Sequence, residues 1–316
     1  MNDTRPALMK TLSYHLVDVF TDRAFGGNPL AVFTDGRGIP DAVMQSIAKE
    51  LNLSETTFVL PPNEAKHDFR VRIFTPKSEL PMAGHPTVGT AFVLAREGML
   101  KKREAVFEEG VGPVPVSIEL RSDEPGFIEM RQPLPKFGPR FEDANAIAGM
   151  LTVDRSAIRD LPLEVVSCGN PFFFVPIDTL ESIRKIRFRA DLAERVVKET
   201  GATGVFVFTT EVETRGSTVH GRLFAPGEGI IEDPATGSAA GPLGCYLSRY
   251  RLTASSGEVR SVLEQGIEMG RPSFLRIRIL HTGDQVTAVH VGGSCCYMGS
   301  GQLELPEDRG LESAAP

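Results

Sequence analysis

The sequence predicts an α+β protein made of two similar halves, each a curved sheet wrapped around one central helix. Three observations support this fold class. Short motifs recur in the same order in both halves, strand-rich segments alternate with turn residues, and each half contains one helical segment that is apolar on nearly all sides. A helix of that kind must be covered on every side, which a sheet curving around it would achieve.

Four motif pairs establish the internal repeat. In chain order they are GGNPLAVF and CGNPFFFV (26–33 and 168–175), two helix–turn–strand patterns (40–60 and 190–208), RIFTP and RLFAP (72–76 and 222–226), and GHPTVGTA and EDPATGSAAG (84–91 and 232–241). Each match alone is weak, but all four keep their order. We therefore interpret the chain as a duplication.

The Pro-rich segment RQPLPKFGPR (131–140) is typical of a linker between the two halves. We expect an N-terminal half over residues 1–135 and a C-terminal half over residues 136–316, and we consider a last strand that crosses back to the first half. Only the final residues, 307–316, have a composition that predicts disorder.

Charge and composition exclude several classes of function. The 316-residue chain has a formal net charge of −7 and scattered Lys and Arg, so we expect no nucleic-acid partner. No apolar run approaches the roughly 20 residues that cross a membrane, and the start of the chain lacks an export signal, which predicts a cytoplasmic protein with no membrane partner. The cysteines lack metal-ligand spacing, so we predict no metal site and interpret them as reduced apolar residues: Cys168, Cys245, Cys295 and Cys296.

The N-termini of the two central helices are the predicted site of the chemistry. A helix N-terminus presents unpaired N–H groups and a partial positive charge, so it attracts carboxylates and oxyanions. We expect His85 just before the first helix, and the repeat aligns Asp233 with it in the second half. A histidine and an aspartate at two helix starts suit acid–base chemistry between domains. Each also has a simpler interpretation, His85 as a cap and Asp233 as a turn or N-cap residue.

A third candidate, Glu55, comes from a difference between the halves. The repeat aligns Glu55 with Thr203, so a carboxylate at this helix-to-strand turn occurs in only one half. Such an asymmetric acid at the end of an element indicates function, although a solvated turn glutamate is the alternative. The two Gly-Asn-Pro motifs, with Asn28 and Asn170, are better explained as turn chemistry.

Taken together, these motifs resemble a known family. The segments DVFTDRAFGGNPLAVF, LNLSETTFV, FTPKSELPMAGHPTVGTA, FAPGEGIIEDPATGSAAGPLG and VGGSCCYMGSGQL resemble, in this order, the signatures of the phenazine-biosynthesis PhzF-like isomerases. The resemblance covers nearly the whole chain. It implies the diaminopimelate epimerase-like fold, with two pseudo-symmetric domains of mostly antiparallel sheet and the active site in the cleft between them. It also implies a homodimer that works without metal or organic cofactor.

The resemblance further implies roles for individual residues. Glu55 matches the proton-shuttling glutamate of the family, and His85 and Asp233 match its supporting acid–base residues. Four further residues match positions that hold polar groups of the substrate: Ser54, Gly84, Gly237 and Ser238. In the epimerase relatives two cysteines occupy the helix starts, and we assign those places here to His85 and Asp233.

We therefore predict a cofactor-independent isomerase that moves a proton within a small carboxylated, conjugated substrate. One alternative is a racemase, epimerase or dehydratase of an amino or hydroxy acid, which would need a thiol or a second carboxylate opposite the first. Another is a non-catalytic scaffold that binds a metabolite or a partner protein. Dinucleotide and ATP chemistry are disfavoured because neither GxGxxG nor GxxxxGK[ST] occurs.

Overall fold

The structure, a computed structural model, describes residues 9–121 and 124–306. These residues form a mixed α+β fold dominated by sheet, as the sequence predicts. The disorder predicted for residues 307–316 falls outside the described residues. Within the described ranges, every helix is too short or too polar to cross a membrane.

The helices and strands follow the order of the repeat. The first half of the chain contains β1 (Met9–Val19), β2 (Asn28–Phe33), α1 (Asp41–Leu51), β3 (Glu55–Leu60), β4 (Phe69–Phe74), β5 (Glu79–Leu80), α2 (Gly84–Arg96), β6 (Glu104–Glu109), β7 (Gly112–Arg121) and β8 (Glu124–Gln132). The second half contains β9 (Lys136–Arg140), α3 (Ala144–Leu151), β10 (Glu164–Ser167), β11 (Pro171–Pro176), α4 (Leu180–Lys185), α5 (Ala190–Thr200), β12 (Gly204–Thr209), β13 (Val219–Ala225), β14 (Ile230–Asp233), α6 (Gly237–Arg249), β15 (Glu258–Gln265), β16 (Ser273–Thr282), β17 (Gln285–Gly293) and β18 (Cys295–Pro306).

The strands form one continuous sheet whose pairing pattern is duplicated. Most neighbours are antiparallel, but β2 pairs with β3 and β4 with β6 in parallel, and the equivalent pairs β11–β12 and β13–β15 are parallel too. Each parallel pair needs a crossover connection, which a helix supplies. The helices α1 and α2 do so in the first half, and α5 and α6 in the second.

Two antiparallel pairings connect strands that are far apart in the sequence. Strand β18 pairs with β1 from Met9 opposite Pro306 to Val19 opposite Cys295, and β8 pairs with β17. The segment 131–140, predicted as a linker, is mostly strand, because only three residues separate β8 from β9. Strand β9 then pairs with β10.

The central helices α2 and α6 are surrounded as predicted. Residues 84–94 of α2 and residues 237–248 of α6 are all buried. Helix α2 contacts strands β1, β2, β3, β7 and β8. Helix α6 contacts strands β10, β11, β15, β16 and β17. The small residues of both helices let the strands approach closely. The other helices pack on the outer face of the sheet over separate apolar cores.

The start of each central helix corrects one predicted alignment. Helix α2 begins at Gly84 and α6 at Gly237, so His85 lies in the first turn of α2 rather than before it, and its structural counterpart is Ser238. Asp233 instead ends strand β14, four residues before α6. The alignment of Asp233 with His85 is therefore wrong, because the motif match had paired Gly89, inside α2, with Gly237.

Candidate active site

Four elements bring the candidate residues to one place. Asn28 begins β2 and Glu55 begins β3, and because these strands are parallel with Leu30 opposite Glu55, their N-terminal ends meet at one edge of the sheet. His85 lies in the first turn of α2, and Asp233 lies at the end of β14. The site thus combines residues from both halves of the chain.

Asp233 is the anchored carboxylate of the site. Its carboxyl oxygens accept hydrogen bonds from Asn28 Nδ2 at 2.8 Å, from Ser54 Oγ at 3.1 Å and from Thr236 Oγ1. Burial raises the pKa of Asp233 to about 6, and these three bonds limit the rise. Asp233 is therefore mostly ionised at neutral pH and held in a single orientation.

Glu55 is the carboxyl group that hydrogen bonds hold least. It is only 7% exposed, and burial, together with the charges of Asp233 and Glu228, raises its pKa well above the usual range. Its Oε2 atom lies 3.2 Å from His85 Nε2. The two atoms are not aligned as a hydrogen bond, and neither has another hydrogen-bond partner within the described ranges. Hydrogen bonds therefore fix the carboxyl of Asp233 but leave Glu55 Oε2 without one.

Hydrogen bonds to Asn28 define the tautomer of His85. The Asn28 amide nitrogen faces His85 Nδ1 at 3.2 Å, as well as Asp233 Oδ1 and the carbonyl oxygen of Ala235. Those two oxygens can only accept, so the amide nitrogen must face them and its two hydrogens go to them. An amide nitrogen cannot accept a hydrogen bond, so a proton on Nδ1 would have no acceptor there and Nδ1 is unprotonated. Burial lowers the pKa of His85 to about 3, so the ring is neutral. Its one ring proton therefore lies on Nε2, directed toward Glu55.

The N-termini of α2 and α6 touch at two glycines. A Cβ atom added to Gly84 would lie 2.3 Å from the backbone Cα of Gly237 and 2.5 Å from the backbone nitrogen of Ser238. Only glycine allows the two backbones to come this close. The unpaired N–H groups of two helix ends are thereby concentrated in one place, where they can stabilise negative charge.

The structure brings all of the predicted site residues together. Glu55 contacts His85, Ser54 contacts Asp233, and Gly84 contacts Gly237 next to Ser238. The cysteines contribute none of these contacts. Among the described residues, no group of three or more His, Cys, Asp or Glu side chains is arranged to hold a metal ion.

Sequence reasoning missed the residues that connect these groups. Asn28, interpreted as turn chemistry, is fully buried and links His85 to Asp233. Gln265 fixes the segment before α6, since its side chain donates to Asp233 O and Thr236 Oγ1 and accepts from Thr236 N. The repeated Gly-Asn-Pro motif was a signal for Asn28, but nothing in the sequence indicates Gln265.

The two Gly-Asn-Pro motifs make equivalent bonds between the halves. Asn28 donates to the carbonyl of Ala235, two residues before α6, and Asn170 donates at 2.9 Å to the carbonyl of Met82, two residues before α2. This symmetry independently supports the equivalence of Gly84 and Gly237. Only Asn28 also contacts ionisable side chains of the site.

Loops of the two halves contact each other, and one of them carries Glu228, whose charge acts on Glu55. Lys77 Nζ donates to the carbonyls of Pro226 and Gly227 at 3.3 and 3.2 Å, and Ser78 Oγ donates to Glu228 at 3.4 Å. Two surface cavities, of about 260 and 520 Å³, lie elsewhere and include none of the candidate residues. The position of the chemistry is therefore indicated by the buried polar groups rather than by these cavities.

Comparison with known proteins agrees with the fold and identifies the family. The family described as "Phenazine biosynthesis-like protein" matches residues 17–301. An uncharacterised isomerase of Mesorhizobium japonicum is 37% identical, covering 93% of this chain and 99% of its own. The trans-2,3-dihydro-3-hydroxyanthranilate isomerase of Pseudomonas aeruginosa is 33% identical, covering 92% of this chain and 99% of its own.

Solved structures extend the comparison. A phenazine biosynthesis protein of the PhzF family from Bacillus anthracis superposes with a TM-score of 0.86 at 28% identity, covering 93% of this chain and 99% of its own. A hydroxyproline epimerase from Agrobacterium vitis shares the fold, with a TM-score of 0.63 at 12% identity over 96% of this chain and 95% of its own. The chain therefore belongs to the phenazine biosynthesis-like family and is a PhzF-like isomerase.

Proposed function

We propose that the protein moves a proton from one atom to another within a small carboxylated, conjugated substrate, without metal or organic cofactor. Glu55 carries the proton, while His85 and Asp233 support it. The observation that carries the proposal is the pair of buried, unpartnered atoms, Glu55 Oε2 and His85 Nε2, at 3.2 Å. We also propose that the enzyme acts as a homodimer in the cytoplasm.

The proton transfer proceeds in two balanced steps. In the first, a C–H bond of the substrate breaks, its proton passes to the carboxylate of Glu55 and its electron pair enters the conjugated system. In the second, the O–H bond of Glu55 breaks and the proton joins a different atom, with the double bond displaced. Burial favours the protonated form of Glu55, which makes its carboxylate a stronger base for the first step.

Asp233 and His85 support Glu55 in different ways. Asp233 is held by three donors, so its charge stays in place and raises the pKa of Glu55 throughout the cycle. His85, being neutral with its proton on Nε2, can donate to the carboxylate of Glu55 or to the substrate. Neither residue has to change its protonation state.

The two helix N-termini would bind the negative charge of the substrate. The contact of Gly84 with Gly237 brings both sets of N–H groups to the same side of the site, and Ser238 lies in the first turn of α6. Fixed donors of this kind are each worth about 3 kcal/mol when charge develops in a transition state. Because Glu55 is nearly buried, we infer that substrate enters when the Lys77 contacts to residues 226 and 227 open.

Deuterium exchange in heavy water tests the role of Glu55. The first probe is trans-2,3-dihydro-3-hydroxyanthranilate, for which the Pseudomonas aeruginosa relative is named, followed by a panel of small unsaturated carboxylic acids. We expect Glu55→Gln to reduce exchange by roughly a hundred- to ten-thousand-fold while binding persists. Glu50→Gln, an exposed change on α1, is the matched control and should behave as wild type. Normal exchange in Glu55→Gln would refute the role.

The position of the label separates the remaining alternatives. An isomerase places deuterium on a different atom from the one that lost its proton, whereas a racemase or epimerase returns it to the same carbon. A racemase also needs a second free base opposite the first, and Asp233 is occupied by three donors. Binding of several acids without any exchange would favour a non-catalytic scaffold.

A further inference from the structure

Glu109, which the mechanism does not use, is a second buried carboxyl close to the first turn of α2. It ends strand β6 and is only 8% exposed. Its Oε1 atom lies 2.5 Å from Thr87 Oγ1, and its Oε2 atom has no hydrogen-bond partner among the described residues. Thr87 lies two residues after His85 on the same helix turn.

The number of hydrogens available to the Thr87 hydroxyl shows whether Glu109 is protonated or ionised. The hydroxyl oxygen of Thr87 lies 2.6 Å from the carbonyl oxygen of Ala83 as well as 2.5 Å from Glu109. A threonine hydroxyl has one hydrogen, and the carbonyl of Ala83 can only accept, so the hydrogen of Thr87 goes to Ala83. The short contact with Glu109 then needs a second hydrogen, which only a protonated Glu109 can supply. An ionised Glu109 would leave two oxygens facing each other without a hydrogen between them.

The second half of the chain contains a neutral donor at the equivalent place. Gln265 ends β15 as Glu109 ends β6, and each follows a glutamate that accepts two backbone N–H groups of a loop. Gln265 donates to Thr236, the residue just before α6, as Glu109 acts on the residues that open α2. The fold thus directs the last residue of β6 and of β15 toward the start of a central helix, and in the second half that residue is an uncharged donor.

We propose that Glu109 is a positioning residue: as a neutral carboxylic acid it donates to Thr87, fixes Ala83 at the start of α2 and thereby orients His85. Its ionisation would leave an uncompensated charge beneath this turn and displace His85. The catalytic part of this inference rests on the proposed function, whereas the protonation state of Glu109 does not.

The surroundings of Glu109 agree with a neutral group. Burial raises the pKa of Glu109 to about 8, and the bond with Thr87 opposes this rise only in part. Within the described residues, no charged group shifts the pKa of Glu109. Titratable or charged side chains do lie on the surrounding elements: His85 on α2, Glu104 and Glu108 on β6, Arg70 and Arg72 on β4, and Glu119 on β7. Since an unfolded glutamate ionises near pH 4.5, Glu109 should lower stability progressively from there to about pH 8.

Thermal unfolding tests the protonation state without any substrate. The melting temperature of Glu109→Gln minus that of wild type should increase between pH 5 and pH 8, by on the order of 5 °C, and then level off. Glu104→Gln, an exposed charge removal on the same strand, is the control and should show no such increase. A constant difference between pH 5 and 8 would overturn the proposal, because Glu109 would then be ionised throughout.

Kinetics test the positioning role. Glu109→Gln keeps a donor, so its kcat at pH 7 should match wild type. Wild type should lose kcat from pH 8 to 9 as Glu109 ionises, and Glu109→Gln should not. Thr87→Val should lower kcat roughly ten- to hundred-fold with little change in KM, and Thr87→Ser should restore it. An unchanged alkaline fall in Glu109→Gln would refute the positioning role. Absence of activity in wild type would instead refute the proposed function, while the melting experiment would still decide the charge of Glu109.

Discussion

Replacing Asn28 by alanine tests whether the charge of Asp233 matters to the chemistry. Asn28 Nδ2 is one of three donors to the Asp233 carboxylate. A hydrogen bond to a charged group contributes about 1.5–3 kcal/mol, and each pKa unit corresponds to about 1.4 kcal/mol. Losing this donor should therefore raise the pKa of Asp233 by about one to two units, from about 6 to about 7–8.

The expected consequence is a shift in the acid limb of the pH profile. The proposed mechanism needs both Glu55 and Asp233 as carboxylates, so activity is lost as pH falls through their pKa values. Because Asn28→Ala raises the pKa of Asp233, it should move the midpoint of that loss upward by as much as one to two pH units. The variant also removes the amide group that faces His85 Nδ1, so the ring proton is no longer confined to Nε2. We expect kcat at pH 7 to fall at least tenfold.

Asn170→Ala is the control that the repeat provides. Asn170 makes the equivalent bond to the Met82 carbonyl but contacts neither Asp233 nor His85, so its loss should cost about 0.5–1.5 kcal/mol of stability. The assay is solvent deuterium exchange measured as kcat/KM from pH 5 to 9, with thermal unfolding of both variants alongside. An unmoved acid limb in Asn28→Ala, or an equal shift in Asn170→Ala, would refute the reasoning.

Two further predictions concern packing and a buried ion network. Gly84→Ala must force the two helix starts apart, because its Cβ would lie 2.3 Å from backbone atoms, so we expect roughly 1–3 kcal/mol of destabilisation and at least a hundred-fold loss of kcat. Gly149→Ala, in α3 with open space around it, should be neutral or slightly stabilising, and equal behaviour of the two variants would contradict the packing argument. Burial alone would lower the pKa of His220, but its hydrogen bonds to Glu264 and Glu268 outweigh this and raise the pKa to about 9. Protonated His220 should therefore stabilise the fold by roughly 3 kcal/mol below about pH 6.5, and this contribution is lost as pH rises to 9. The melting temperature of His220→Gln should lie below that of wild type by an amount that shrinks over this pH range. A difference that is independent of pH would exclude a charged His220.

The sequence predicts the two central helices and the sheet around them well because this arrangement occurs twice in the chain. The apolar segments at 84–96 and 237–249 have no polar face, so each helix must be covered by protein on all sides. This can be predicted without knowing where the individual strands lie. The error in register, Asp233 aligned with His85, arose because α2 contains two glycines, Gly84 and Gly89, that fit the same motif. The structure distinguishes them by the helix starts at Gly84 and Gly237, by the backbone contact between these two glycines, and by the equivalent bonds of Asn28 and Asn170.

Residues that act across the halves are harder to predict. Asn28 and Gln265 lie far from Asp233 in sequence, and a buried asparagine or glutamine has no periodicity that would reveal its partner. Their role depends on which hydrogen-bond groups the fold leaves without partners, and that is known only once the strands are placed. The asymmetry of Glu55, by contrast, was visible because the repeat supplies its own comparison.

The duplicated fold explains how an asymmetric site can be built without destabilising the protein. The paired features that hold the two halves together are alike: Asn28 and Asn170 at the starts of β2 and β11, and Glu108 and Glu264, which each accept backbone N–H groups of a loop. The groups that differ, Glu55 against Gly204 and His85 against Ser238, lie at the ends of strands and helices, where a substitution does not disturb the sheet. Strand pairing sets Glu55 opposite Leu30 and Gly204 opposite the equivalent Phe172, so the predicted alignment of Glu55 with Thr203 is wrong by one residue. Each half can therefore supply different chemistry to a shared site while the same backbone bonds hold both halves in register.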